Sequence, residues 1–168
     1  MTEPIVYTDA TTLIGLARID RLDLLAVFPR PVLVTRHVWS EVAGDPARAG
    51  VPVLFDAREQ GLLAVIDDGD PNAFPYLGAG ESSALSAAME RHAAVIIDEQ
   101  ETRALIARGP EIRARLAYVT GLIGLLQVAK QRKHIEAVRP ILDRLVSEGF
   151  QISRRLYDES LRRAGELQ

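Results

Sequence analysis

The chain is expected to fold as an α/β domain: a parallel sheet of about five strands, helices on both of its faces, and a helical extension at the C-terminal end. Three observations predict this. Short apolar runs rich in β-branched residues recur along the chain, each is followed by a segment with helical spacing, and acidic residues close or follow several of the runs. Strands alternating with helices pack as a parallel sheet, because each right-handed crossover returns the chain to the same edge.

In order, Ile5 to Thr8 reads as a buried strand, and Thr11 to Ala17 as a helix with a threonine near its N-cap. Asp20 to Leu25 starts a second short helix. Pro31 to Val34 is the next strand, and Thr35 caps a helix to about Ala43. Gly44-Asp45-Pro46 breaks the chain, and Val51 to Gln60 has helical character with Pro52 near its start. Leu62 to Ile66 is a third strand, followed by a loop to Gly80. Glu81 to His92 is a helix whose Leu85, Ala88 and Met89 share a face. Ala93 to Ile97 is the most apolar strand, Glu99 to Arg108 a helix stopped by Gly109-Pro110, and Leu116 to Val119 the fifth strand. Three helices close the chain: Gly121 to Lys133, Pro140 to Ser147, and one capped by Ser153 that reaches Glu166.

The 168 residues suit one domain, with a core over about 1–133 and the helical extension over about 134–168. An apolar fraction of 48% is enough to build a core, and with only 5% aromatics that core must rest on aliphatic side chains. Cysteine is absent, which removes thiolate metal sites and disulfides and fits a reducing, cytoplasmic setting. No basic leader and no membrane-spanning run is read in the sequence. A net charge of −3 hides a polarity: residues 1–99 carry −8 and residues 100–168 carry +5. An acidic half beside a basic half suits a metal-dependent enzyme acting on a polyanion.

Four carboxylates stand out. Asp9 and Asp98 close apolar runs, Glu81 opens a helix, and Glu41 lies six residues beyond Thr35. In open parallel sheets, ligands bind beyond the carboxyl ends of the strands, so these groups share an edge. Carboxylates gathered there repel one another and call for a hard cation such as Mg²⁺ or Mn²⁺. Asp67, Asp68 and Asp70 lie beside Gly69 and Pro71 and read as a turn. The three histidines form no His-x-x-x-His pair, which argues against zinc. An aspartyl-phosphate phosphatase wants a second Asp two residues after the first, where this chain has Thr11. A receiver domain wants a Lys after the last strand, where Thr120 stands.

The run Thr8-Asp9-Ala10-Thr11-Thr12-Leu13-Ile14 resembles the opening of a PIN domain. Gly80 to Leu85, Ile96 to Arg103, Gly121 to Lys130, Gly149 to Ser153, Leu156-Tyr157 and Gly165-Glu166 resemble the bacterial and archaeal PIN branch with an extended helical C-terminus, the DUF3368 group. Two departures stand out: Leu122 where the group often has Thr, and Glu99 where it often has a second Asp. The resemblance implies a Mg²⁺- or Mn²⁺-dependent endoribonuclease, often the toxin of a toxin–antitoxin pair. It implies metal held by Asp9, Glu81 and Asp98, with Glu41 and possible help from Glu99, and Thr11 orienting Asp9. Arg103, Arg132 and Lys133 are candidates to grip RNA phosphates. A small antitoxin and a homodimer are the expected partners. The rival expectation is a PIN fold that binds RNA or protein without cutting.

Overall fold

The computed structural model describes residues 2–167. Five parallel strands form one sheet in the order β3-β2-β1-β4-β5. They are β1 (Val6–Thr8), β2 (Val32–Thr35), β3 (Leu63–Ile66), β4 (Ala94–Ile96) and β5 (Val119–Thr120). Between them run α1 (Ala10–Arg18), a 3-10 segment (Leu22–Val27), α2 (Arg36–Ala43), α3 (Val51–Glu59), α4 (Ala79–Glu90), α5 (Gln100–Arg108) and α6 (Pro110–Arg113). After β5 come α7 (Leu122–Gln131), α8 (Arg139–Ser147) and α9 (Arg154–Arg163). No helix among the described residues is long and apolar enough to cross a membrane.

The three central strands, β1, β2 and β4, are fully covered because their side chains alternate between two apolar layers, and the edge strands β3 and β5 are half-buried. Val6, Val32, Val34, Ala94 and Ile96 face the larger core, which also takes side chains from α1, α3, α7, α8 and α9. Tyr7, Leu33, Val95 and Ile97 face the other, against Leu85 and Ala88 of α4 and Ile106 of α5. The chain builds outward from β1 through β2 to β3, then returns to the other side of β1 for β4 and β5. The carboxyl ends of β1 and β4 therefore flank the switch in strand order, where such sheets open a crevice.

Several elements differ from the sequence expectation: the segment expected as a helix from Asp20 is a 3-10 turn over Leu22–Val27, and α4 starts two residues early, at Ala79. The N-cap of α1 is Asp9 itself, whose side chain accepts from Thr12 N. Gly109-Pro110 ends α5 but also starts α6, since proline at the first helical position loses no hydrogen bond. β5 begins three residues later than expected, because Leu116 turns inward to the core behind α6 rather than joining the ladder.

The C-terminal helices are tied to one another by few but well-placed polar contacts. Gln127 Nε2 donates to the Ser160 carbonyl at 2.8 Å. The Glu166 carboxylate accepts from Val138 N at 2.7 Å, from Arg139 N at 3.0 Å and from Lys130 Nζ at 2.9 Å. Those donors hold its acidity on the strong side of an ordinary glutamate, although partial burial works the other way.

Gly69 fixes the loop between β3 and α4. Its φ is +82°, and a Cβ there would lie 2.1 Å from the Ser83 carbonyl oxygen. Gly69→Ala is expected to lower stability by about 1–3 kcal/mol from backbone strain alone, with the clash adding to it. A urea denaturation midpoint equal to that of the wild type would contradict this.

Candidate metal centre and the cleft beside it

Asp9 sits at the junction of β1 and α1. Its backbone N donates to the Ile96 carbonyl at 3.0 Å, which continues the β1–β4 pairing to the strand ends. The side chain is 1% exposed and accepts three main-chain hydrogen bonds: Thr12 N to Oδ1 at 2.9 Å, Asp98 N to Oδ2 at 2.7 Å and Glu99 N to Oδ2 at 3.4 Å. It thus starts a helix and locks the adjacent strand end at once.

Asp98 follows β4 and stands beside Asp9. Its carboxylate accepts the Thr12 hydroxyl at 2.5 Å and Leu122 N at 2.9 and 3.0 Å. Arg103 lies next to it, donating to the Ile97 carbonyl at 3.1 Å. Gly121 makes this possible: a Cβ there would lie 2.5 Å from Arg103 Nη1 and 2.7 Å from Asp98 Oδ1.

Burial, reinforced by the Asp98 charge, raises Asp9 to about 6, and the hydrogen bonds it accepts only partly offset that. Asp98 is also shifted up by burial, against the opposing pull of Thr12, Leu122 and Arg103. Two carboxylates at adjacent strand ends, both resisting ionisation, favour a positive charge between or beside them.

Glu41 and Glu81 form a second pair. Thr35 ends β2 and caps α2 by accepting from Val38 N. Its hydroxyl also shares a 2.7 Å hydrogen bond with Ser83 of α4, which clips the two helices together. Gly80 is buried, and a Cβ there would lie 2.6 Å from Glu41 Oε2. Glu41 is pushed up by partial desolvation first and by the facing Glu81 second.

The four leading carboxylates are therefore brought together as two pairs. No three His, Cys, Asp or Glu side chains among the described residues form a ready ligand cluster. The donor set still fits a hard cation: all four groups are oxygen donors, and Mg²⁺ binds through one or two carboxylates while retaining waters.

Other expected residues are placed differently. Thr11, expected to orient Asp9, instead lines the neighbouring cleft, and its role falls to Thr12. The physical reason is helix geometry: the third residue after an N-cap presents its N–H to the cap. Glu99 is the N-cap of α5, its carboxylate taken by Glu101 N, Thr102 N and the Thr102 hydroxyl, so it is engaged rather than offered to a metal. Arg132 reaches the Val27 carbonyl and Glu3, at the amino edge of the sheet. It and Lys133 follow α7, whose first N–H binds Asp98, so they lie roughly 15 Å along that helix from the carboxylates. Of the three cations expected to hold phosphates, only Arg103 stands at the centre. The Asp67–Asp70 segment is more than a turn. Asp68 accepts the buried Tyr7 hydroxyl at 2.6 Å, its other oxygen is buried without a partner among the described residues, and Arg91 donates to the same hydroxyl at 3.3 Å.

A cleft of about 1120 Å³ opens beside Asp98 and Arg103. The core supplies Thr11, Arg18 and Gly121 to its walls, and the extension supplies Phe150, Leu156 and Arg163.

No curated protein and no solved structure matches the chain. The model of one family, DUF3368, described as a PIN domain, matches residues 5–166, core and extension together. PIN domains are a nuclease-type fold, and the crevice at the β1/β4 switch is where such a fold would place its acidic centre. By that match the chain belongs to the DUF3368 group of PIN domains.

Proposed function

We propose that the protein is a metal-dependent endoribonuclease, the toxin of a toxin–antitoxin pair. The observation that carries the reading is the Asp9–Asp98 pair: Asp9 buried and Asp98 half-buried, adjacent at the switch in strand order, both shifted toward the neutral form, with Arg103 beside Asp98. Asp9 and Asp98 are the residues to hold Mg²⁺ or Mn²⁺, with Glu81 and Glu41 on the side facing α2 and α4. When bound, such a cation supplies charge for a phosphoryl oxygen and acidifies a coordinated water.

The chain's own residues do the positioning. Main-chain N–H groups of Thr12, Asp98, Glu99 and Leu122 fix the two aspartates with no side-chain freedom to lose. The Thr12 hydroxyl bridges from α1 to Asp98. Arg103 is placed to meet a phosphate that approaches Asp98 from the cleft. On this reading the partners are an RNA substrate, a small antitoxin that sets a basic side chain against the acidic pairs, and a second copy in a homodimer. Purification from the native host with no small companion protein would count against the antitoxin.

The test is cleavage of RNA by purified protein with Mn²⁺ or Mg²⁺ and none with EDTA. The separation of the carboxylates into two pairs favours one alternative, a PIN fold that binds without cutting. A thermal melt decides whether the acidic centre takes metal. Saturating Mn²⁺ at about one hundred times its Kd is expected to add about 2.7 kcal/mol of stability, seen as a higher melting midpoint. An unchanged midpoint leaves the silent module as the better reading.

A further inference from the structure

We infer that the C-terminal extension forms one wall of a channel that leads single-stranded RNA to Asp98, and that Arg163 is a phosphate contact in that channel. This rests on the nuclease reading for the direction of the path, and not for the contact itself.

Four observations converge. First, one cavity of about 1120 Å³ is lined both by Asp98 and by Arg163, so a strand held at the extension continues into the acidic centre. That space exceeds the upper end of an ordinary small-ligand pocket, about 1,000 Å³, and suits a polymer better than a metabolite.

Second, cations outnumber acids in the lining. Arg18, Arg103 and Arg163 contribute to it, while Glu148 is the one acid besides Asp98. Third, the cations are not equivalent. Arg103 is held against the Ile97 carbonyl, and Arg18 donates to the Glu148 carbonyl at 3.2 Å, which ties α1 to the start of the 148–153 segment. The Arg163 side chain is exposed and has no hydrogen-bond or ion-pair partner among the described residues. It follows Leu156 by seven residues, two turns along α9, so both project on the same side.

Fourth, the cleft also offers apolar surface. Ile14 and Ile152 are half-buried, as is Phe150, and Leu156 is 41% exposed. Phosphates on guanidinium groups and base faces on apolar side chains are the combination that recognises single strands, whose bases are free to stack. An acidic peptide would use the arginines but would leave the affinity indifferent to base unstacking.

The experiment is fluorescence anisotropy with a short fluorescein-labelled single-stranded RNA in EDTA, over a salt series, with the full chain. Arg163→Ala is expected to weaken binding several-fold and to lower the slope of log K against log salt by about 0.7. Arg163→Lys is expected to restore most of both. The melting midpoint of each variant, unchanged from the wild type, shows that the extension is still docked. Wild type that fails to bind the RNA, an unaltered affinity and slope in Arg163→Ala, or equal affinity for a duplex of the same length overturns the proposal. Cleavage is scored separately with Mn²⁺. A protein that needs Arg163 to bind RNA but never cuts it loses the nuclease reading and keeps this one.

Discussion

Asp98→Asn is expected to lower Mn²⁺-dependent RNA cleavage on the order of 10²–10³-fold while leaving the fold intact. The local chemistry explains why one change separates the two properties. Both Asp98 oxygens are acceptors in the folded protein, from Leu122 N and from the Thr12 hydroxyl. An asparagine keeps its carbonyl for Leu122 N and turns its amide toward Thr12, whose hydroxyl then accepts. The buried Thr12 hydroxyl proton loses its carboxylate acceptor, a cost of about 1–3 kcal/mol, and relief from holding two like charges together opposes that cost. The substitution also removes the charge that raises Asp9. What it cannot keep is a carboxylate for the cation. Electrophilic help from such an ion is worth several kcal/mol, and about 1.4 kcal/mol is tenfold in rate, so a loss on the order of 10²–10³-fold follows. Gel-based cleavage and a melting curve without metal check both halves. Cutting at the wild-type rate would remove Asp98 from the proposed centre.

The second large effect is on pH dependence. Asp9 ionises near 6 in the folded protein against 3.8 unfolded, because burial and Asp98 disfavour its charge. The folded chain therefore binds more protons than the unfolded chain between those values. The stabilisation from the protonated carboxyl is complete below about 3.8 and is lost as pH rises through 6, a change of about 3 kcal/mol. Asp98 shifts in the same direction and adds to the trend. Without metal, the contribution of this pair to stability falls from pH 4 to pH 7. A divalent cation binds the ionised form, so saturating Mn²⁺ is expected to flatten or reverse that fall. Chemical denaturation at a series of pH values, with EDTA or with Mn²⁺, reads the difference. Curves that run parallel in the two conditions would mean that the cation does not bind at this pair.

The strands and the two aspartates were legible because the signal is local. Val6 to Thr8 and Ala94 to Ile96 are short, apolar and bounded by acids, and in a parallel sheet that pattern has few alternatives. Their adjacency follows from the strand order, which alternation alone does not specify. Two placements turn on which residue is the N-cap, a matter of one position: with Asp9 as the cap of α1 it is Thr12 rather than Thr11 that meets the aspartates, and Glu99 is engaged as the cap of α5. The roles of Gly80 and Gly121 were beyond reach: each is small because a side chain from another element occupies the space, and no sequence window holds both partners. The cleft is of the same kind, since its walls come from residues more than 140 positions apart.

Glu166 gives the extension a fastening that its modest length would not suggest. One carboxylate gathers the start of α8 and a lysine of α7. Trimming the chain just after Arg163 thus unlatches a hinge-side bolt rather than shedding slack: α8 loses its anchor first, and the groove that α9 borders loses its definition with it.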